Sequence, residues 1–434
     1  MPVTSLAADE KDYSTPALEI VGFDLLLNQF NRRVLPGNDY DTSWASVRRN
    51  LRSSWTVEND PFKINQLGHP YQGSMYHGFA RSAGLSYWES SLYTFAGSAF
   101  WEIAGETTQP SRNDQVASGI GGSFLGESLY RMASLLLERG EGTKLWRELS
   151  AAAISPSLGF NRLAFNRFDA IFASRHPAYY SRFAVALSGT TQNERGATTD
   201  IKRGELLADF SIDYGLPGKP GYSYRRPFDY FAFQATASSA NGFENVMTRG
   251  LLIGDDYESG RNYRGVWGLY GSYDYIAPQL FRVSSTALSL GTTGQWWLSN
   301  AIALQSTALA GLGYAAVGTL RGAGEQDYHY GAAPQALAAL RLIFGERASL
   351  DLTAREYFVS HVAASARGGH ENIVRADVAF TMRVYKQHAL AVKYLWNRRA
   401  ATYPDLGDRT QTRATLGIYY ALLGHDRFGA VEWR

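Results

Sequence analysis

From Glu205 to Asp213 the chain alternates residue by residue, with Leu206, Ala208, Phe210 and Ile212 on one side and Glu205, Leu207, Asp209, Ser211 and Asp213 on the other. A period of two is the signature of a strand, whose successive side chains point to opposite faces. The same rule returns at Val374, Ala376, Val378, Phe380, Met382 and Val384 against Arg375, Asp377, Ala379, Thr381, Arg383 and Tyr385. It governs Leu390, Val392, Tyr394 and Trp396, and again Ala414, Leu416, Ile418, Tyr420 and Leu422. A soluble sandwich also alternates, but its strands usually run to about five or six residues. These runs are nearer ten, the length at which a tilted strand crosses a bilayer, about nine to eleven residues. Turn-like clusters follow at residues 215–222, 254–261, 322–327, 368–371 and 404–408. Counting between them predicts about twelve strands, an even number as bacterial single-chain barrels have. The expected fold is therefore a membrane all-β barrel of antiparallel strands over residues 179–434.

Residues 283–320 carry no formal charge and must be tested as a membrane helix. Their threonines, serines and glycines favour two strands instead, joined near residues 297–300, with a small inner face. The pair Trp296 and Trp297 is then expected at the bilayer interface, where an amphipathic ring gains from both phases. Aromatic abundance, Tyr 27, Phe 22 and Trp 10 beside Gly 43, agrees with interfacial girdles and close strand packing.

Ahead of the barrel, residues 70–138 change to a helical period. One helix draws a stripe through Trp88, Leu92, Phe95, Ala99 and Ile103, opposite Ser91, Ser98, Glu102 and Glu106. The next begins at Pro110-Ser111-Arg112-Asn113-Asp114, where Ser111 caps and Asp114 can return the bond, and ends at Arg139-Gly140. Within it Ser118, Gly122 and Gly126 recur every fourth residue, a small face that predicts close approach to Gly97 and Ser98. Neither helix has an uncharged run long enough to span a bilayer. Residues 1–60 read as an N-terminal arm and 61–178 as a helical plug inside the lumen. There Arg81, Glu127 and Arg131 would meet barrel charges such as Asp209, Asp213, Arg375 and Arg383. A separate periplasmic domain is the second reading.

Lys+Arg 42 against Asp+Glu 40 leaves +2, without the basic surplus of a nucleic-acid binder, so no nucleic-acid partner is expected. Zero cysteines remove disulfides and thiolate chemistry. The first residues show no secretory signal, and a signal peptide is expected to have been removed. Outer-membrane lipids are the expected surroundings, and the barrel-assembly machinery is a candidate partner.

The run Asn65-Gln66-Leu67-Gly68-His69-Pro70-Tyr71-Gln72-Gly73-Ser74, then Ala80-Arg81, Gly97-Ser98-Ala99-Phe100-Trp101-Glu102, the segment from Pro110 to Asp114 and Gly126-Glu127 together resemble domain of unknown function 3943. That resemblance covers about residues 60–139 and implies a Gram-negative outer-membrane setting, without an assigned activity. It supplies no mechanism.

If the chain is an enzyme, His69, Glu102, Glu106, Asn113 and Asp114 are the candidates, since a histidine oriented by a carboxylate could do acid-base work on a lipid. The bland reading weighs more, because His69-Pro70 suits a helix entry, Glu127 and Arg131 pair one turn apart, and Ser111 caps. Glu102, Glu106 and Asp114 could also take calcium or magnesium, yet no Gly-centred acidic loop is present, and neither metal nor cofactor is expected. The favoured function is a structural or transport role in the envelope, with a lipid-modifying enzyme and a scaffold for partner proteins as alternatives.

Overall fold

The computed structural model describes residues 11–58, 60–140, 142–165, 172–194, 201–278, 281–319, 328–361, 369–403, 407–425 and 427–433. It divides into two compact units, Met1–Arg175 and His176–Arg434.

The second unit is a closed barrel of twelve antiparallel strands. They are β1 Tyr179–Glu194, β2 Ile201–Tyr214, β3 Phe231–Ser238, β4 Asn245–Ser259, β5 Tyr263–Ile276 and β6 Phe281–Trp297, followed by β7 Ile302–Thr319, β8 Tyr328–Phe344, β9 Ala348–His361, β10 His370–Tyr385, β11 His388–Tyr403 and β12 Gly407–Leu423. Each strand pairs with its sequence neighbours, and β1 meets β12 in the register Arg182↔Leu423 to Glu194↔Gln411, so no edge is left open. Most strands exceed the expected ten residues, with β6 at 17 and β7 at 18. The apolar alternation marks only the part that meets lipid, and the ladder continues beyond it through residues of mixed polarity.

Outward positions are apolar: Leu187, Leu206, Leu290, Phe380 and Ile418 are all exposed. Inward positions on the same strands are buried and charged or polar, among them Asp209, Arg375, Asn397 and Arg413. Hydrocarbon outside and polarity inside invert a soluble protein's surface, and with the edges closed this arrangement fits a bilayer. Residues 283–319 form β6 and β7 with the turn at 298–301, as their composition predicts. The two tryptophans, however, do not share an interface. Trp296 is half exposed, whereas Trp297 is buried and its indole N–H donates to the Val431 carbonyl at 3.0 Å, since adjacent strand residues face opposite ways. The expected turn at 254–261 is also displaced. Gly254 to Ser259 continue β4 after an irregularity between Leu251 and Ile253, and the chain reverses at 260–262. The expected turn at 322–327 lies outside the described residues.

The first unit is helical: α1 Ser14–Val34, α2 Trp44–Asn50, α3 His69–Ser82, α4 Tyr87–Phe100, α5 Arg112–Asp114, α6 Gly122–Arg139, α7 Lys144–Ile154 and α8 Pro156–Ala164. Three wide π-helical stretches, Ile64–Gly68, Trp101–Gly105 and Gln115–Gly121, interrupt this series. Residues expected as an arm belong to the same unit, because Ile20 of α1 packs with Met75, Tyr76 and Phe79 of α3. The small face of Ser118, Gly122 and Gly126 meets α3 rather than Gly97 and Ser98. A Cβ on Gly122 would lie 2.7 Å from the Gly73 Cα, and one on Gly126 2.8 Å from the His77 Cβ. Gly97 instead receives the Tyr76 ring, and Ser98 accepts a hydrogen bond from Gln115. The α4 stripe is reversed as well: Tyr87, Ser90, Thr94, Gly97 and Ser98 are buried while Trp88, Leu92 and Phe95 are exposed.

Candidate functional site

Two buried charge clusters occupy the helical unit, and they are balanced in opposite ways. In the first, Glu127 of α6 is fully enclosed and receives Arg131 Nε at 2.7 Å, Arg81 Nε at 2.8 Å and His77 Nε2 at 3.1 Å. Burial alone would raise this carboxyl, but the guanidiniums of Arg81 and Arg131 hold it well below the usual range. The same burial lowers His77. Arg81, Glu127 and Arg131, expected to reach a barrel lumen, thus satisfy one another inside the helical unit.

The second cluster gathers four carboxylic side chains and one imidazole. Glu58 precedes the first π-helical stretch, His69 opens α3, Glu102 sits in the second π-helical stretch, Glu106 ends it, and Asp114 closes α5 just before the third. Wide turns of this kind often occur where a helix is re-aimed at a functional position. Residue 56 bridges to residue 111, and Arg112 N–H donates to the Thr56 carbonyl at 2.8 Å, which brings Glu58 to this site across more than fifty residues of sequence. Asn113 then fixes it: its Oδ1 accepts the Glu58 N–H at 3.0 Å and the Ser111 hydroxyl at 2.8 Å, while its Nδ2 donates to Asp114 Oδ1 at 3.2 Å. Asn113 is a positioning residue here.

The capping box at Ser111 is completed differently from expectation. Ser111 Oγ accepts the Asp114 N–H at 3.3 Å, but the return bond, from Ser111 N–H, goes to Glu102 Oε2 at 2.8 Å. Asp114 is therefore released to face the cluster. Its Oδ2 lies 3.8 Å from His69 Nε2, and the other imidazole nitrogen meets Ser118 Oγ at 3.3 Å. Glu106 accepts Trp101 Nε1–H at 2.7 Å and the Thr108 hydroxyl at 3.1 Å. Asp114 Oδ2, Glu102 Oε1 and Glu58 Oε1 are buried without a hydrogen-bond partner.

Ligand atoms of Glu58, His69 and Asp114 lie within 4.8 Å of one another, and so do those of Glu58, Glu102 and Glu106. The charges acting most on these carboxyls are each other's, Asp60's and that of His69. Burial raises them all: Glu58 to about 10, Glu106 and Asp114 to about 7, and Glu102 well above its ordinary value. The five sequence candidates are thus brought together, and Glu58 is the member the sequence did not reveal. It lies on an irregular segment with no periodic pattern around it.

In the barrel, Asp209, Asp213 and Arg375 also find partners within their own unit. Arg341 of β8 reaches Asp213 of β2 at 3.0 Å and Asp351 at 2.6 Å, and Arg355 of β9 reaches Asp274 of β5 at 3.0 Å. Strands β2 and β8 stand six places apart in a ring of twelve, so the first pair crosses the lumen. Arg375 donates to Asn397 at 3.0 Å and, across the lumen, to Asn245 at 3.3 Å. Asp209 accepts Thr236 Oγ1 at 2.6 Å and Gln234 at 2.9 Å, and Arg383 donates to the His425 carbonyl at 3.2 Å. A cavity of about 130 Å³ opens between these walls, lined by Arg182, Arg249, Arg341, Arg355, Arg375 and Lys393 against Asp213, Asp351 and Asp377.

Residues 54–157 match the family described as Domain of unknown function (DUF3943). This segment is similar to that family's domain. It contains every member of the second cluster, from Glu58 to Asp114, and the Glu127 cluster as well. No curated protein matches the chain. Among solved structures it is similar to the NanC porin, at 8% identity over 54% of this chain and 98% of that one, with a TM-score of 0.26. It is similar to the translocator domain of the autotransporter NalP from Neisseria meningitidis, at 12% identity over 62% and 97%, TM-score 0.25. The outer membrane channel DcaP of Acinetobacter baumannii aligns at 9% identity over 56% and 96%, TM-score 0.25. The barrel assignment rests on the strand register and the apolar exterior, which hold without these alignments.

Proposed function

We propose that the barrel is an outer-membrane conduit for small anionic solutes, held closed by its own C-terminal segment. The observation that carries this reading is the excess of cations lining the lumen cavity, six against three carboxylates. Arg249 and Arg375 have no carboxylate within ion-pair distance among the described residues. Guanidiniums outside any direct ion pair favour an anion beside them, and a lumen with an excess of one sign concentrates solutes of the other. The chain after β12 turns back onto β6 and β7, where it meets Gln305, a residue of the cavity wall. Gln305 Nε2 donates to the Gly429 carbonyl at 2.8 Å, and Gln295 exchanges bonds with Val431 at 2.7 and 2.9 Å. Phe428 packs with Tyr180 and Leu216 in the same apolar group.

Planar-bilayer recording tests the proposal. The full chain should conduct little. A chain ending at residue 424 should conduct steadily and prefer chloride over potassium, and Arg249→Ala with Arg375→Ala should abolish that preference. An open pore that prefers cations would sink the reading. The plug expected of residues 61–178 is a separate proposal, which predicts that their deletion, with the C-terminal segment intact, is what opens the pore. Export with a signal peptide cleaved ahead of the mature chain and insertion by the barrel-assembly machinery complete the reading. N-terminal sequencing of the protein from outer membranes checks the first.

A further inference from the structure

We infer that Glu58, His69, Glu102, Glu106 and Asp114 form a binding site for a first-row divalent metal ion such as manganese, with Glu58 at its centre. The argument is independent of the conduit reading and rests on three features of the helical unit. First, donor atoms from four carboxylates and one imidazole converge within 4.8 Å in two groups that share Glu58. Such convergence gives a cation oxygen ligands from three segments of chain and a nitrogen from a fourth, and a shared carboxylate is the group that can bridge two adjacent ion positions. Second, Asp114 Oδ2 and Glu102 Oε1 are unpartnered on side chains that are 0% and 1% exposed. Buried oxygens without a donor are costly, and an ion would satisfy both. The 3.8 Å from Asp114 Oδ2 to His69 Nε2 is too long for a hydrogen bond. It suits two ligands of one ion whose bonds are each about 2.0–2.2 Å.

Third, the surroundings are those of a held ligand set. Ser118 engages His69 Nδ1, leaving Nε2 turned toward Asp114, and Trp101, Thr108, Ser111 and Asn113 orient Glu106, Glu102 and Asp114. Ligands oriented in this way by outer partners are typical of metal sites. The Glu127 cluster supplies the internal comparison. There the same unit buries one carboxylate with two guanidiniums and an imidazole, whereas here four carboxyls share one imidazole. The donors are mostly hard oxygen with one nitrogen, a set suited to manganese or ferrous ion more than to copper.

The test uses the full chain in detergent, stripped with EDTA, incubated with Mn²⁺ and desalted. Retained metal is measured by mass spectrometry and the bound ion by electron paramagnetic resonance. The wild type should retain manganese in stoichiometric amount, with the helical signal melting at a higher temperature than in the stripped protein. Glu58→Gln and Asp114→Asn should each weaken retention by about tenfold or more. Wild-type protein that retains neither Mn²⁺ nor Zn²⁺ nor Fe²⁺ above a bovine serum albumin control overturns the site, as does unchanged retention in both folded variants. Should both variants fail to fold, the wild-type spectrum decides. A bound signal lacking the imidazole nitrogen coupling expected from His69 overturns the assignment, and its presence supports it.

Discussion

Burial of Asp24 shows how one side chain sets a pH dependence for the helical unit. It lies on α1 with Tyr76 donating to its Oδ1, and burial raises its carboxyl to about 8, against the opposing hydrogen bonds of Tyr76 and Gln72. The folded chain therefore keeps a proton that the unfolded chain releases above its ordinary value of about 3.9. Stability contributed by this group is present in acid and falls as pH rises toward 8. Asp24→Asn should flatten that fall and gain on the order of 2 kcal/mol over the wild type at pH 8. Thermal melts of the helical circular dichroism at pH 5 and pH 8 check it, and equal slopes in the two proteins would refute it. Glu127 has the opposite sign. Its carboxyl is depressed, so its contribution holds above about pH 4.5 and is lost as pH falls below that. Glu127→Gln should cost about 3–5 kcal/mol, because it strands the Arg81 and Arg131 guanidiniums without their anion.

Single elements show what the sequence could and could not say. Strand β10 was legible because Val374 to Val384 and Arg375 to Arg383 sort to opposite faces under a rule that depends on no distant contact. Helix α4 was not, since its apolar stripe predicts burial of Trp88 and Leu92 only if the helix packs as in a soluble bundle. Here Gly97 instead makes room for the Tyr76 ring, so Gly97 and Ser98 are inside and the large side chains outside. The same logic made the glycine face of α6 visible while hiding its partner, because α3 carries Gly73 in a helix whose other residues mask the pattern. The candidate site was half legible for a related reason. His69, Glu102, Glu106 and Asp114 stand out by type, but only the bridge from residue 56 to residue 111 brings Glu58 to them. Gly122→Ala would place its Cβ 2.7 Å from the Gly73 Cα, a backbone atom that cannot yield. A loss of about 1–3 kcal/mol in helical stability is expected, and an unchanged melting temperature would show that the two helices can part at no cost.

For the whole molecule the division into two units carries a consequence for assembly. Every strand of the barrel is paired by strands of residues 176–434, and several lumen charges find their partners inside it as well: Arg341 with Asp213 and Asp351, Arg399 with Glu371, and Arg413 with Glu205 and Glu244. A barrel that closes its own ladder and forms these ion pairs within itself needs no contribution from the helices to fold. Residues 176–434 expressed alone and refolded into detergent should therefore migrate differently before and after boiling, as the full chain should. The measurement is a gel of both proteins, refolded into detergent and loaded with and without boiling. Were the short chain to show a single unfolded band while the full chain shifts, the helical unit would be part of the barrel's folding core. The independence implied by their separate interiors would then be lost.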